Sequence, residues 1–365
     1  MKKIKVGILG ATGVVGQNYV KLLVDHPWFE IVDVAASKRS AGKRYDSAVE
    51  EKWLMDIEIP ASIKSKTVRD VRDYDNIPAE VKLFFSATEL DDKQATREFE
   101  FEYAAKGYPV VSNSSANRWT SDVPMIIPEI NPQHLDIIPA QQQTRDLPKT
   151  GFVTVKPNCS IQSYLVAIHA LREAGFAIKD IQVTTLQALS GAGYKGLTSE
   201  IMKDNVIPYI GGEEEKTERE PSKILGTVSE TWIIPEQSIQ MSALCTRVPV
   251  VDGHTAVVHL NFVDDAPSLE TIQEVWNNFL GEPQALDLPT APKPAIVFQE
   301  EADRPQVKLD VQNGRGMAIT IGRLEKDKFF DIRFVALSHN TVRGAAGGAI
   351  LTAELLVEKG YIERP

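Results

Sequence analysis

Cysteine is scarce in this chain: Cys159 and Cys245 are the only two among 365 residues. So few exclude a disulfide framework and make a reducing cytoplasm the expected setting. Long hydrophobic runs are missing as well, and nothing approaches the roughly 20 apolar residues that cross a bilayer. The opening "MKKIKVGILG" carries an apolar run of only about five residues that ends in a glycine turn, which reads as a strand and not as a signal peptide. Positive charge is in deficit, with 40 basic against 50 acidic side chains and a net charge of −10. A nucleic-acid binder would show a basic stripe, so none is expected as a partner. The six histidines fall at no spacing that suits zinc or iron, and no metal is expected. Internal repeats and low-complexity tracts are absent too.

What remains is ordinary globular composition, 43% hydrophobic and 25% charged. The length favours two domains. In the first third, strand-like "IKVGILG", "EIVDVAAS", "VKLFFSAT" and "YPVVSNSS" alternate with helical stretches, among them "TREFEFEYAAKG". That alternation predicts a parallel, doubly wound sheet of Rossmann type. After about residue 150 the chain turns β-rich, in "IQVTTLQALS", "SIQMSALCTRVPV", "TAVVHLNFV", "MAITIGRLE" and "FFDIRFVAL". A second, α+β domain on a mainly antiparallel sheet is expected there, with helices near 160–174 and 268–280. "GEPQALDLPTAPKPAIVF" reads as a surface excursion, and "NTVRGAAGGAILTAELLVEKGYI" as a helix apolar on one side.

Gly10, Gly13 and Gly16 of "GILGATGVVG" fall where the first strand enters the first helix. Glycines there let a backbone approach a pyrophosphate, which a helix N-terminus attracts. A tight turn without a ligand would use the same residues. The second strand runs into "SKRSAGKRY" and presents no carboxylate for a ribose 2′-hydroxyl. Ser37, Lys38, Arg39 and Ser40 would instead suit a 2′-phosphate, so NADP is favoured over NAD.

Cys159 follows Pro157 and Asn158 and precedes "SIQSYLVAIHALRE", in which Ile161, Leu165, Ile168 and Leu171 share a helical face. A thiol at that helix N-cap would be acidified by unpaired N–H groups and the dipole. A small packing residue is equally consistent with the position. Cys245, inside an alternating strand, reads as packing. His254 follows the turn "VVDG", and Arg247 lies in the strand before it, an arrangement suited to an anionic substrate. His254 and His259 would face opposite sides of one strand and cannot share a metal.

These stretches also resemble a known family. "GATGVVGQ", "SKRSAGKRY", "SNSSANR", "DVPMIIPEIN", "PNCS", "LQALSGAGYKG", "VIPYIGGEEEK", "RVPVVDGH" and "HNTVRGAAGGA" occur in the order found in the archaeal and fungal branch of the aspartate-semialdehyde dehydrogenases. The resemblance implies that residues 1–157, completed by 341–365, bind NADP, and that 158–340 form a catalytic and dimerisation domain. It implies Cys159 as nucleophile and His254 as acid/base that takes the thiol proton, with Asn158 and Gln187 beside them. Arg247 would hold the substrate carboxylate and Glu213 its ammonium, while Lys216 and Arg118 would hold phosphate. Cofactor contacts would come from Gly10, Thr12, Gly13, Val14, Val15, Gly16, Ser37, Lys38, Arg39 and Ser40. Ser86, Ser190, Gly191, Gly193, Asn340 and Thr341 would add to them. The implied reaction interconverts 4-aspartyl phosphate and L-aspartate-4-semialdehyde through a cysteine thioester, in the biosynthesis of lysine, threonine, methionine and isoleucine. A homodimer or homotetramer is expected. A malonyl-CoA reductase of the same fold, or N-acetylglutamyl-phosphate reductase, would have no use for Glu213. A silent NADP-binding sensor would have no use for Cys159, His254 or Arg247.

Overall fold

The computed structural model describes residues 2–365. Six strands make the first sheet: β1 (Ile4–Leu9), β2 (Phe29–Ala36), β3 (Arg69–Asp70), β4 (Leu83–Ser86), β5 (Pro109–Ser112) and β6 (Phe152–Val155). They pair in parallel in the order β3-β2-β1-β4-β5-β6. That is the doubly wound arrangement expected from the sequence, with its switch point between β1 and β4, where ligands bind outside the strands' carboxyl ends. Because every strand runs the same way, the glycine turn after β1 and the Cys159 turn after β6 leave the same edge of the sheet.

The second sheet uses β7 (Ile178–Gln187), β10 (Gln240–Arg247), β11 (His254–Phe262), β12 (Ile296–Phe298), β13 (Ile319–Lys326) and β14 (Ile332–Ser338). A small hairpin, β8 (Thr227–Val228) with β9 (Ile233–Ile234), stands apart from it. The order is β10-β7-β11-β14-β13-β12. The β7–β11–β14–β13 centre is antiparallel, as expected, and the outer pairings of β10 and β12 are parallel, which makes the sheet mixed.

Three local expectations need correction. The proline-rich stretch is no surface excursion: it carries edge strand β12, and Pro283, Leu288, Ala291 and Ile296 are buried. Its prolines sit where no ladder N–H is needed. The last helix, Gly347–Glu358, is buried all round and not on one side, from Gly347 through Val357. A helix apolar on every face belongs inside a protein, and this one shares a core with Val20, Leu23, Phe29, Phe85 and Val111 of the first sheet and its first helix. Arg343 anchors the preceding turn through a buried two-pronged pair with Glu129, at 2.7 and 2.9 Å. Finally, no α-helix starts at Cys159. A 3₁₀ turn, Ile161–Ser163, intervenes, and the helix begins at Leu165.

Candidate active site

The carboxyl edge of the first sheet and the β7–β11 end of the second enclose a cavity of about 210 Å³. Cys159, Asn158, Gln187, Glu213, Lys216, Arg247, His254 and Arg118 all line it, so the expected catalytic and substrate residues come together. Val15, Ser190, Gly191, Asn340 and Thr341 join them from the cofactor set.

His254 opens β11 and is wholly buried. Its Nδ1 accepts the Ala188 N–H at 3.0 Å, so the neutral ring carries its proton on Nε2, 3.3 Å from Cys159 Sγ. The carbonyl of the same Ala188 accepts Arg247 Nη1 at 2.7 Å, so one residue orients both side chains. A Cβ on Gly191 would stand 2.9 Å from Arg247 Nη1 and 3.0 Å from the His254 ring, which explains a glycine there. Burial, with Arg247 adding to it, pushes the imidazole pKa down to about 3. The expected transfer of the thiol proton to His254 therefore does not fit: Nε2 is already protonated and the ring resists a second charge. It is placed to donate instead.

The sulfur in turn points its proton at Asn158 Oδ1, 3.4 Å away. Asn158 Nδ2 donates to Glu213 Oε2 at 2.8 Å, Gln187 Nε2 donates to the same oxygen at 3.2 Å, and Lys216 Nζ reaches Glu213 Oε1 at 2.7 Å. Burial raises the Glu213 pKa, but Lys216, Asn158 and Gln187 outweigh it and leave the carboxylate below its usual range. A fixed anion in a pocket that also holds Arg247 suits a substrate carrying both an ammonium and a carboxylate. Burial and then Glu213 push the Cys159 thiol up to about 11, against the opposing pull of Lys156, Arg118 and Arg247. The expected acidification by a helix N-terminus is absent, because the Leu165 helix starts too far along the chain for its dipole to act.

Sequence reasoning missed the helix Glu213–Ile224 as a unit. Glu213, Thr217 and Glu220 lie on one face. Thr217 Oγ1 is 3.3 Å from Ser160 Oγ, and Glu220 accepts the Asn158 N–H at 2.6 Å and Arg118 Nη1 at 2.8 Å. The i, i+4, i+7 spacing inside "EEEKTERE" was the available signal. Arg118 also donates to the carbonyls of Lys156 and Asn113. Gly344 was missed as well: a Cβ there would fall 2.8 Å from the Cys159 Cβ.

The glycine turn fits a dinucleotide. Gly10 has φ of +82°, and a Cβ on it would fall 2.7 Å from Ala87 O; one on Gly16 would fall 2.2 Å from Gly10 O. Gly13 caps the Val14–Leu23 helix, whose first amides have no helical acceptor. Thr12, Val14 and Val15 flank it at this edge. Ser37, Lys38 and Arg39 are exposed beyond β2 with Ser40 beside them, and Asp33, the carboxylate of β2 itself nearest that end, is turned inward onto Arg69. Asn340 bridges Ser190 Oγ and the Gly253 N–H at 2.8 Å each. Ser86 corrects an expectation: its hydroxyl is buried and donates to Glu100 Oε1 at 2.9 Å, so its side chain does not face the crevice. Gly193, at φ +64°, begins a short helix outside the cavity lining.

A parallel dinucleotide-type sheet opening onto a cysteine–histidine pocket is the architecture of the two-domain semialdehyde dehydrogenases. Residues 5–138 match the model described as "Semialdehyde dehydrogenase, NAD binding domain", and 168–343 match "Semialdehyde dehydrogenase, dimerisation domain". The chain is 41% identical to the aspartate-semialdehyde dehydrogenase of Archaeoglobus fulgidus, over 98% of this chain and 99% of that one. It is 43% identical to that of Schizosaccharomyces pombe, over 98% and 99%. The crystal structure of the Candida albicans aspartate-semialdehyde dehydrogenase with NADP superposes with a TM-score of 0.88 at 36% identity, covering 99% of this chain and 100% of that one. This chain belongs to the aspartate-semialdehyde dehydrogenase family. No described helix is long and apolar enough to cross a membrane.

Proposed function

We propose that the protein catalyses the NADP-dependent interconversion of 4-aspartyl phosphate and L-aspartate-4-semialdehyde, a step of amino-acid biosynthesis, with Cys159 as the acyl carrier. The observation that carries this reading is the 3.3 Å approach of Cys159 Sγ and His254 Nε2 in a pocket that also holds Arg247 and Glu213. Residues 1–157 with 341–365 would hold the cofactor, through the first-turn amides after Gly13 and the exposed Lys38 and Arg39. When bound, NADPH supplies the hydride that reduces the acyl group.

The chain's own residues do the rest. Arg247 and Glu213 fix the two charges of the amino-acid end, which sets the acyl carbon against Sγ. Attack by the thiolate expels phosphate towards Arg118 and Lys216 and leaves a thioester. His254 Nε2–H donates to the oxygen that gains charge in each tetrahedral state, a role that suits a ring held neutral. Collapse after reduction returns the thiolate and frees the aldehyde. Glu213 favours this substrate over a malonyl thioester or an N-acylated amino acid, neither of which has an ammonium to offer it. The dimerisation-domain match supports a homo-oligomer, read here as a homodimer or homotetramer, and the two free cysteines suit a reducing cytoplasm.

The test is NADPH formation from L-aspartate-4-semialdehyde and phosphate, with malonyl-CoA-driven NADPH oxidation alongside. Turnover of the semialdehyde that disappears in Cys159→Ala is expected. Turnover of malonyl-CoA alone would overturn the substrate.

A further inference from the structure

Among the described residues, each buried carboxylate but one pairs with an arginine or a histidine, as Glu220 does with Arg118 and Glu129 with Arg343. The exception is Glu100, wholly buried on the helix Lys93–Ala105, which takes only neutral donors. Ser86 and Ser112 are register partners at the carboxyl ends of β4 and β5, and both hydroxyls donate to Glu100 Oε1. Asn117 Nδ2 donates to Oε2 at 2.8 Å. The donors are themselves oriented. Ser112 Oγ accepts the Ser114 N–H at 3.0 Å, and Asn117 Oδ1 accepts the Thr120 hydroxyl at 3.0 Å. One turn earlier on the same helix, Arg97 Nε donates to the carbonyl of Ala116 at 2.8 Å. The loop that follows β5 is thus tied to this helix at its start, through Ser112, and near its end, through Ala116 and Asn117. Asn113, Ser115 and Arg118 of that loop line the cavity.

We propose that Glu100 is a positioning residue for phosphate, setting from behind the crevice the loop that presents Arg118 to the cavity. Glu220 holds the Arg118 guanidinium, whereas Glu100 holds the backbone from which that side chain extends. Burial pushes the Glu100 carboxyl above its usual range, against the pull of Ser112, Asn117 and Ser86, and Glu89 adds to the rise. A buried carboxyl without a cation is costly. An apolar side chain would avoid that cost, but it could not gather three donors from two strand ends and a loop. The inference rests on the reading that Arg118 holds phosphate.

The experiment is NADPH formation from L-aspartate-4-semialdehyde at varied phosphate, in wild type, Arg118→Lys, Glu100→Gln, and Glu100→Gln combined with Asn117→Asp. Glutamine keeps the shape but brings one donor too many, since its Nε2 faces either the Asn117 amide or the two hydroxyls. Glu100→Gln should raise the phosphate KM about tenfold, a change of about 1.4 kcal/mol, and leave the semialdehyde and NADP KM values within about twofold. Asn117→Asp returns an acceptor to that Nε2, so the double variant should recover to within about threefold of wild type. A general structural defect would neither single out phosphate nor be repaired by the second change. An unchanged phosphate KM in Glu100→Gln, while Arg118→Lys raises it, overturns this inference alone, and so does a double variant no better than the single one. An unchanged phosphate KM in Arg118→Lys, or a wild type that does not turn over the semialdehyde, overturns the underlying reading and this inference with it. Should Glu100→Gln fail to fold, Asn117→Ala cuts the same contact from the loop side. It must then raise the phosphate KM by itself, and no rise would be equally fatal.

Discussion

The Glu213–Ile224 helix reaches the Cys159 turn through side chains, whereas the segment from Gly344 to Gly348 reaches it through the lack of them. The first contributes Glu213, Thr217 and Glu220, each hydrogen-bonded to the turn. The second contributes two glycines against which Cys159 and Lys156 lie. The difference separates two jobs. Charged hydrogen bonds hold the turn's backbone and Arg118 in place, and their loss should appear chiefly as lost stability. Close steric contact sets where the sulfur points, and its loss should appear chiefly as lost rate.

The largest effect falls on the polar side. Glu220→Ala leaves the Arg118 guanidinium buried without its carboxylate and should lower stability by about 3–5 kcal/mol, read by urea denaturation. An unchanged midpoint would mean that the polar contacts are not what holds the turn. Gly344→Ala comes next. Its Cβ would meet the Cys159 Cβ and displace the sulfur, so kcat should fall about a hundredfold, with the folded CD spectrum kept. A variant that loses stability and not rate would reverse the division of labour. Cys245→Ala then serves as the control. That thiol is buried against Thr217, 3.7 Å from its hydroxyl, and faces no substrate. The change should cost about 1 kcal/mol and leave kcat/KM within about twofold. For the pH midpoint of Cys159 alkylation, the effect expected from changing His254 is none. The imidazole keeps its neutral form down to about pH 3, so His254→Gln should abolish turnover while leaving the pH midpoint of Cys159 alkylation in place. A midpoint that moves would return the role of base to the histidine.

Much of this was legible in the sequence. The glycine turn and its flanking β–α alternation gave the first sheet, because period-two and period-3.6 patterns are local properties of a chain. "PNCS" and "RVPVVDGH" singled out Cys159 and His254, which the fold brings to within 3.3 Å of each other. What failed depended on distant partners. The tautomer of His254 is decided by the Ala188 N–H, which no local pattern reveals. Ser86 looked like a strand-end contact until Glu100, on a neighbouring helix, took its hydroxyl. The helix expected at Cys159 began at Leu165, because the apolar period that marked it continued through a 3₁₀ turn. Lys156 drew no notice at all: a lysine reads as solvent-facing until the surrounding fold closes over it.

The burial of the last helix against the first sheet has a bearing on how the protein is made. Val20, Leu23, Phe85 and Val111 leave the ribosome more than 200 residues before the residues that cover them, Ile350, Leu351, Leu355 and Leu356. Until those residues have emerged and packed, the first sheet carries an open apolar face, and until Gly344 is in place Cys159 lacks the backbone behind it. The core of the first sheet is therefore closed by long-range contacts that form late, and the intermediate before they form exposes apolar surface.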